Sequence, residues 1–413
     1  MKGGYAMSNN GKRQTVLLGI TALIYVVFGL LTSVIGVAID RFQAQYGVSL
    51  GVAALLPLAF FLAYGLTSIP FGLLTDRFGA KPVLLLGTAL MGTGSALCYL
   101  SAEAWAVIVS VFLIGTGVTA VQIAGNPFVR VLDQPSRYTS NLTLIIGIGA
   151  LGYALSPLIV PVLQANNLSW TTIYLLLAVV NAVIFVVVAF AHFPKTTTNA
   201  DERLNLGRFF HLCRNPLVLV YALGIFLYVG GEVGVSSYII TFMNNVHHLS
   251  NDQSFWPAPT FMHQLFPSKT ALIVALFWLL QAVGRLVASA LMRKVSERAV
   301  FIVHSALTVV ALVVAMMGSE GVALVSFALV GYFTCVSFTA IFSAVINSFN
   351  HDHGMLSGIL GTAIVGGAFI GWLVGVVGNA HGMVWGMAVN VVAFAYVMAV
   401  AVWGKRDEGA LTR

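Results

Sequence analysis

Long apolar stretches alternate with short polar ones along the whole chain. Each apolar stretch has about 20 or more residues, the length that an α-helix needs to cross the hydrocarbon of a bilayer. The pattern therefore predicts an all-α integral membrane protein with about twelve transmembrane helices. The predicted spans are approximately 15–38, 52–74, 82–101, 105–129, 140–163, 171–193, 216–243, 270–292, 299–317, 321–347, 355–378 and 383–403.

The longest charged stretch, residues 192–216, separates the first six predicted spans from the last six. It is polar and rich in Thr and Asn, which is typical of a linker between two compact units. We therefore predict an N-terminal six-helix bundle at 1–193, a linker at 194–215 and a C-terminal six-helix bundle at 216–413.

Many spans carry glycines at close helical spacing, among them Gly115, Gly117, Gly147, Gly149 and Gly152. Helices in lipid associate by close approach of their backbones, which small residues permit. These glycines predict faces where helices pack tightly against each other.

Composition and charge support the membrane interpretation. Hydrophobic residues make up 59% of the chain and charged residues 8%, too few to cover the surface of a soluble domain. The outer loops keep only Arg41 and Lys269, Arg285 lies within a span, and all other basic residues lie in the inner segments. By the positive-inside rule, both termini of this multi-pass protein face the cytoplasm. The net charge of +7 is thus explained by membrane orientation and does not indicate binding to nucleic acid. The partner that the sequence predicts is the lipid bilayer.

Neither metal chemistry nor enzyme chemistry is indicated. His247, His248 and His263 lie in an outer loop without a carboxylate or cysteine at ligand spacing, so we interpret that loop as solvated. The spans contain no Ser–Lys, Asp–Asp or His–Glu arrangement for hydrolysis. We therefore expect no enzyme, no metal and no cofactor.

Glu232 is the carboxylate that we place well inside a span, in the stretch YVGGEVGVSSY. A charge in hydrocarbon is costly, and such residues usually have a function. The neighbouring Gly230, Gly231 and Gly234 lower helix propensity and predict a discontinuity of the kind that transporters use at binding sites. Glu232 could carry a proton or bind a cation; the alternative is a neutral, hydrogen-bonded acid that joins helices.

The loop GLLTDRFGAKP resembles the signature between the second and third helices of the major facilitator superfamily. Gly72, Asp76, Arg77, Gly79 and Lys81 match it, and an alanine replaces one basic residue. A tight glycine turn there places Asp76 where it can pair with cations or with a helix N-terminus, as a latch of one gate. A merely solvated hairpin loop is the alternative.

Five further stretches resemble the fucose:proton symporter (glucose/galactose transporter) family. They are QIAGNPFVRVL, YVGGEVGVSSYI, LFWLLQAVGRLVASALM, GYFTCVSFTAIFSAVI and GILGTAIVGGAFIG. The resemblance implies a sugar porter with two pseudo-symmetric bundles, a central cavity and alternating access. It also implies acids in the first and fourth helices that handle the coupling proton. This chain departs from that pattern: Gln122 stands in the fourth, the first has no acid before Asp40, and the fifth span is apolar.

Gln122 and Asn126 lie one turn apart on one helix face. Amides both donate and accept, which suits neutral hydroxylated ligands, but they also join helices in membranes. For Asn126 the adjacent Pro127 favours a structural role, in which the amide satisfies a carbonyl that the proline frees. Tyr228 and Trp278 are candidates for stacking on a sugar ring.

Gln281 and Arg285 also lie one turn apart and could share a polar network. Arg285 could hold an anionic group or bond carbonyls at the bundle interface, and the family's Gly-Arg pair favours a structural or gating role. Counted from the inner ends of their spans at about 1.5 Å per residue, Glu232 and Arg285 differ in depth by roughly 12 Å. On that count we do not expect them to pair directly.

The function predicted from these residues is secondary active transport of a small neutral solute, most simply a hexose or deoxyhexose, by ion-coupled symport. The coupling ion would be H⁺ or Na⁺, and the protein is expected to act as a monomer. The alternative is proton-driven efflux of an amphipathic compound, which the apolar fifth span favours. A transport-dead membrane sensor is the hypothesis from a different class.

Overall fold

The computed structural model describes residues 2–53, 55–132, 134–194, 206–249 and 269–404, and their regular structure is helical throughout. The helices before residue 194 are α1 (Lys2–Tyr46), α2 (Leu50–Ala53), α3 (Leu55–Phe78), α4 (Ala80–Leu100), α5 (Ala104–Leu132), α6 (Tyr138–Ala165) and α7 (Thr172–Phe190). After residue 205 they are α8 (Leu206–Arg214), α9 (Pro216–His247), α10 (Lys269–Leu291), α11 (Glu297–Met317), α12 (Glu320–Thr334), α13 (Ser337–Asn347), α14 (His353–Thr362), α15 (Gly366–His381) and α16 (Met383–Trp403).

Twelve helical segments of the described chain are long and apolar enough to cross a membrane, which confirms the predicted number. The tenth combines α12 and α13, and the eleventh combines α14 and α15 through a short 3₁₀ turn at Ala363–Val365. Several helices continue past the predicted spans; α9, for example, reaches His247. Helical hydrogen bonding continues beyond the edge of the hydrocarbon, whereas hydropathy marks only the apolar part.

The outer faces of the helices are as apolar as their inner faces. In α7, Leu176, Val179 and Val183 are exposed, whereas Leu177 and Ile184 are buried. A helix that is apolar on all sides must be surrounded by protein or lipid. This surface is suited to the hydrocarbon of a bilayer.

The predicted linker contains a helix, α8, which the sequence interpretation did not include. Residues 195–205 of the linker lie outside the described residues. The side chain of Asn215 accepts a hydrogen bond from the backbone N–H of Leu217 at 2.9 Å and so caps α9. Arg208 pairs with Asp352 at 2.7 Å, which anchors α8 beside the start of α14.

The helices before the linker pack mainly among themselves, and so do those after it. The main contacts between these two sets, here called the two halves, join α3 to α14 and α6 to α10. Glycines permit close approach, as predicted: a Cβ on Gly149 would lie 2.9 Å from the carbonyl oxygen of Tyr25, and one on Gly117 would lie 2.6 Å from the amide nitrogen of Met91.

Candidate functional site

Glu232 is the centre of a polar cluster in the second half. The hydroxyl of Tyr228, one turn earlier on α9, donates to Oε1 of Glu232 at 2.6 Å. The side-chain amide of Gln281 on α10 donates to the same oxygen. The Nη2 atom of Arg285 lies 3.7 Å from it, and the Arg285 and Glu232 side chains are only 8% and 12% exposed. The cluster is thus a nearly buried ion pair with two neutral donors.

This pairing contradicts the depth estimate, which placed Glu232 and Arg285 too far apart. That count compared Cα positions and treated the ends of both helices as level. Side chains on a helix tilt toward its N-terminus. Because α9 and α10 run in opposite directions, the Glu232 and Arg285 side chains lean toward each other. The long side chains of Glu232 and Arg285 thereby span the difference of roughly 12 Å in depth between their Cα atoms.

The two oxygens of the Glu232 carboxylate have different surroundings. The described contacts of Tyr228, Gln281 and Arg285 all go to Oε1. These contacts leave Oε2 of Glu232 unused. The buried Oε1 of Gln281 has no hydrogen-bond partner among the described residues. A buried polar atom without a partner is costly. The cluster therefore has unused hydrogen-bonding capacity that a solute or a proton could satisfy.

The predicted helix discontinuity beside Glu232 is wrong, because α9 is continuous from Pro216 to His247. Its glycines serve packing instead. A Cβ on Gly230 would lie 3.0 Å from the carbonyl oxygen of Gly366, and one on Gly231 would lie 2.9 Å from the ring of Phe394. Gly234 packs in the same way against the side chain of Asn390. Close packing against α15 and α16 outweighs the weak helix propensity of glycine.

Discontinuities occur instead in the tenth and eleventh spans. The tenth is interrupted between Thr334 and Ser337, and the eleventh at the 3₁₀ turn Ala363–Val365. The carbonyl of Cys335, at the first break, accepts a hydrogen bond from Nε of Arg285 at 3.4 Å. Arg285 therefore bonds both the acid and an interrupted helix, which combines the two roles that the sequence left open.

In the first half, tyrosines hold the two candidate amides. The hydroxyl of Tyr64 donates to Oε1 of Gln122 at 2.7 Å, and that of Tyr25 donates to Oδ1 of Asn126 at 2.5 Å. Tyr138 donates to the backbone carbonyl of Asn126 at 3.0 Å. Nδ2 of Asn126 is buried and has no partner among the described residues. Phenol–amide pairs thus line this half where the resembling family is expected to carry an acid.

The predicted hydrogen bond from the Asn126 amide to the carbonyl freed by Pro127 is wrong. Pro127 has no N–H, so the carbonyl of Ile123, four residues earlier, lacks its helical partner. The hydroxyl of Ser357 on α14 donates to that carbonyl at 2.8 Å. A side chain from the other half, and not the neighbouring amide, satisfies the freed acceptor.

An aromatic pair connects the halves beyond the acid cluster. The rings of Tyr153 on α6 and Trp278 on α10 are stacked, with centroids 5.8 Å apart and planes 9° apart. Trp278, Gln281 and Arg285 recur at helical spacing on one face of α10. Trp278 is thus available at the site, whereas Tyr228 is fully buried and uses its hydroxyl on Glu232.

Sequence reasoning missed Tyr25, Tyr64 and Tyr153. Their only signal is a phenol within an apolar span, where a hydroxyl needs a partner. That signal does not separate a site residue from ordinary packing. The structure groups them, because Tyr64 and Tyr153 lie within electrostatic reach of each other and Tyr153 lies within reach of Glu232 and Arg285.

The turn between α3 and α4 marks one end of the molecule, here called the Asp76 end. The Asp76 carboxylate accepts the backbone N–H groups of Gly354 and Met355, each at 2.7 Å. These groups belong to the first turn of α14, where an anion is favoured by unpaired N–H groups and the helix dipole. The latch expected of Asp76 thus joins the two halves, through a helix N-terminus.

The other residues of the loop serve locally. Gly79 adopts a φ of +82°, which suits glycine in the tight turn. The Lys81 ammonium donates to the carbonyls of Ala189 and Ala191 at 2.7 and 2.9 Å and so caps the end of α7. Arg77 is exposed and lies over the ring of its neighbour Phe78.

Hydroxyl groups add further contacts between the halves at the Asp76 end. Thr143 donates to Thr339 at 2.8 Å, and Ser140 donates to the carbonyl of Ser289 at 2.8 Å. Nearby, a Cβ on Gly147 would lie 2.9 Å from Cβ of Arg285. The two halves are therefore closed on each other from the Asp76 end up to the level of Arg285.

No group of three or more potential metal ligands occurs in the described part of the chain. Of the loop histidines considered in the sequence, His263 lies outside the described residues.

Comparisons with known proteins agree with this architecture. The family model of the Major Facilitator Superfamily matches residues 21–266. A glucose/galactose transporter of Brucella abortus is 26% identical over 93% of this chain and 93% of its own length. The L-fucose-proton symporter of Escherichia coli is 21% identical over 84% of this chain and 83% of its own length.

A crystal structure of the E. coli fucose:proton symporter has a similar fold, with a TM-score of 0.80 at 18% identity over 95% of this chain and 99% of that one. The family model matches more than half of the chain, and the twelve spans and the loop at residues 72–82 agree with it. The chain is therefore a member of the Major Facilitator Superfamily.

Proposed function

We propose that this protein is a secondary transporter that couples uptake of a small neutral sugar, a hexose or deoxyhexose, to an ion gradient. The observation that carries the proposal is the Glu232 cluster, a partly satisfied acid of the second half that lies within electrostatic reach of Tyr153 of the first half. The names of the relatives, a glucose/galactose transporter and a fucose–proton symporter, support the substrate class.

The solute would bind between the halves. Gln122 and Asn126 would contact it from one side, and Gln281 and Trp278 from the other. Amides offer donors and acceptors to hydroxyl groups, and an aromatic face suits the apolar side of a sugar ring. Tyr228 would position Glu232 rather than stack on the sugar.

Coupling would depend on Glu232 alone, with H⁺ or Na⁺ as the ion. Glu232 is the acid near the middle of the spans, because the fourth span has Gln122 where the resembling family carries a carboxylate. Binding of the ion would weaken the attraction between Glu232 and Arg285. It would thereby change the relative stability of the two conformations, which a ligand shifts only by differential affinity.

The positive-inside rule supports a cytoplasmic location for the Asp76 end and both termini, in the inner membrane of a bacterium. The closed contacts at that end then correspond to a carrier that opens outward. A monomer would suffice, since the proposed site is built from residues of one chain.

The test is uptake of labelled glucose, galactose and fucose into proteoliposomes under an imposed proton or sodium gradient. Glu232→Gln is expected to retain sugar exchange without a gradient and to lose accumulation against one. The matched control is Glu103→Gln, which removes an exposed carboxylate in the loop after α4. Gradient-driven accumulation by Glu232→Gln would contradict the coupling role.

Dyes tested in the same vesicles distinguish uptake of sugars from efflux of amphipathic compounds. Vesicles without flux of any tested solute would instead favour a sensor.

A further inference from the structure

Charge balance at the site points to a second class of solute. Among the described residues, Glu232 and Arg285 are the charged side chains in the middle turns of the spans. They form a pair with no net charge. The groups that the first half brings near this pair are uncharged: Tyr153, which lies within electrostatic reach of both, and Tyr64, which holds Gln122. The protein groups at the site therefore sum to no net charge as long as Glu232 is ionised.

Protonation of Glu232 changes this balance. Arg285 keeps its charge, because a guanidinium stays protonated in proteins. A nearly buried cation that loses its partner is unfavourable unless another anion replaces that partner. When Glu232 is protonated and a neutral sugar is bound, the site has a net charge of +1 from Arg285. When Glu232 is protonated and a monoanion is bound, the net charge is zero.

We propose that the protonated site binds monoanionic sugars, hexose-derived carboxylates such as uronates, with the sugar carboxylate replacing that of Glu232 beside Arg285. This inference rests on the proposed function, since it uses the same passage and the same protonation step. One proton and one monoanion would enter together, so that transport of a sugar acid carries no net charge.

The geometry of α10 suits such a ligand. Trp278, Gln281 and Arg285 share one face, and the Arg285 side chain leans toward Trp278 because side chains tilt toward the helix N-terminus. Their Cα atoms differ in height by roughly 10 Å, and the length of the arginine side chain covers about half of that. The remaining distance is about that of a pyranose ring with one carboxyl group.

Each part of a sugar acid has a suitable partner along this face of α10. The guanidinium of Arg285 can bind a carboxylate through two parallel hydrogen bonds. The buried Oε1 of Gln281, which lacks a partner among the described residues, can accept a sugar hydroxyl. The stacked Trp278 and Tyr153 rings offer an apolar face to the ring carbons.

The proposal predicts the direction of a pH effect. The titratable or charged groups near Glu232 are Tyr228 on α9, Arg285 on α10, Tyr153 on α6 and Cys335 at the break before α13. Phenols and thiols are ordinarily uncharged near pH 7, so the proposal concerns the carboxylate of Glu232. An ionised Glu232 competes with the sugar carboxylate for Arg285 and repels it. Affinity for a sugar acid should rise as the pH falls, and affinity for a neutral sugar should change less.

The experiment compares D-glucuronate with D-glucose as ligands of the purified full chain in nanodiscs. Thermal stabilisation and titration calorimetry measure binding between about pH 5.5 and 8, where a simple carboxylate stays ionised. In the unmodified protein we expect glucuronate to bind at least ~10-fold more tightly at the acidic end of the range. Glu232→Gln should bind glucuronate at pH 8 at least ~10-fold more tightly than the unmodified protein and should lose the pH dependence. Glu103→Gln should behave like the unmodified protein.

The possible outcomes separate this inference from the proposed function. Glucose binding without glucuronate binding, both in Glu232→Gln and at acidic pH, would overturn the inference and leave the proposed function intact. Glucuronate binding that is equally strong at pH 5.5 and 8 in the unmodified protein would also overturn it. If glucose, galactose, fucose and glucuronate all fail to bind, the proposed function itself fails. Should Glu232→Gln not fold, the pH series on the unmodified protein decides alone.

Discussion

Ser357 on α14 donates its hydroxyl to the backbone carbonyl of Ile123 on α5 at 2.8 Å. The carbonyl is free because Pro127, four residues later, has no N–H to offer. In a membrane such an acceptor must be satisfied within the protein. The proline of one half therefore creates an acceptor that the other half fills, and the resulting bond holds the Asp76 end closed.

Ser357→Ala should favour opening of the Asp76 end. The substitution leaves a buried carbonyl without a donor, which costs about 1–3 kcal/mol in the closed conformation. Spin labels at the exposed positions Phe78 and Asn350, in a Cys213→Ser background, would report a longer distance by double electron–electron resonance. Ser348→Ala is the control, since that exposed hydroxyl bonds only within its own helix. Unchanged distances in Ser357→Ala would mean that the bond does not stabilise closure.

Asp76→Asn should have a similar effect for an electrostatic reason. The amide keeps one acceptor, but it loses the charge that the first turn of α14 favours. Loss of a charged group at a helix N-terminus costs about 0.5–2 kcal/mol. The same spin-label distance should lengthen, and it should lengthen more in Asp76→Ala. Equal distances in Asp76→Asn and the unmodified protein would show that the hydrogen bonds suffice without the charge.

Trp278→Leu should weaken sugar binding through loss of the aromatic face. An aromatic contact contributes about 0.5–1.5 kcal/mol beyond its buried area, so we expect a decrease in affinity of roughly 3- to 10-fold. Calorimetric titration with the sugar that the protein transports measures this. Trp372→Leu is the matched control, because Trp372 is 61% exposed on an outer face. An equal loss in both variants would point to a general effect on the fold.

Gly147→Ala should disturb the contact between α6 and α10. The added methyl group would lie 2.9 Å from Cβ of Arg285, so one of the two helices must shift. Overpacking of this kind costs about 1–3 kcal/mol, here in the closed conformation, and should reduce the uptake rate. Gly371→Ala provides the comparison, since the methyl group there meets only a side-chain atom of Val233 at 3.8 Å. A rate in Gly147→Ala equal to that in Gly371→Ala would show that this contact tolerates expansion.

The hydropathy pattern predicted the number of spans correctly, because a helix in lipid must be apolar over the width of the bilayer. Asp76 and Glu232 could be identified for a similar reason, because a charged residue within or next to an apolar span stands out in the sequence. Their partners could not be identified. Asp76 bonds backbone N–H groups some 280 residues later, and backbone groups are the same in every residue.

Two errors show most clearly what cannot be predicted from the sequence. The glycines around Glu232 predicted a broken helix, but close packing against Gly366 and Phe394 offsets their weak helix propensity, and only the tertiary structure shows that packing. Glu232 and Arg285 were judged too far apart because a count along the helix axis ignores the direction in which each side chain leans.

The amino-acid sequence by itself determined that this protein is a bundle of about twelve membrane helices, with a charged loop at residues 72–82 and an acid within a span. These properties depend on solvation, which acts on each segment separately. The tertiary structure decided that Glu232 pairs with Arg285, that Ser357 rather than Asn126 serves the carbonyl freed by Pro127, and that tyrosines hold the amides of the first half. Those pairings depend on how tilted helices and long side chains meet across the interface, and no single segment contains that information.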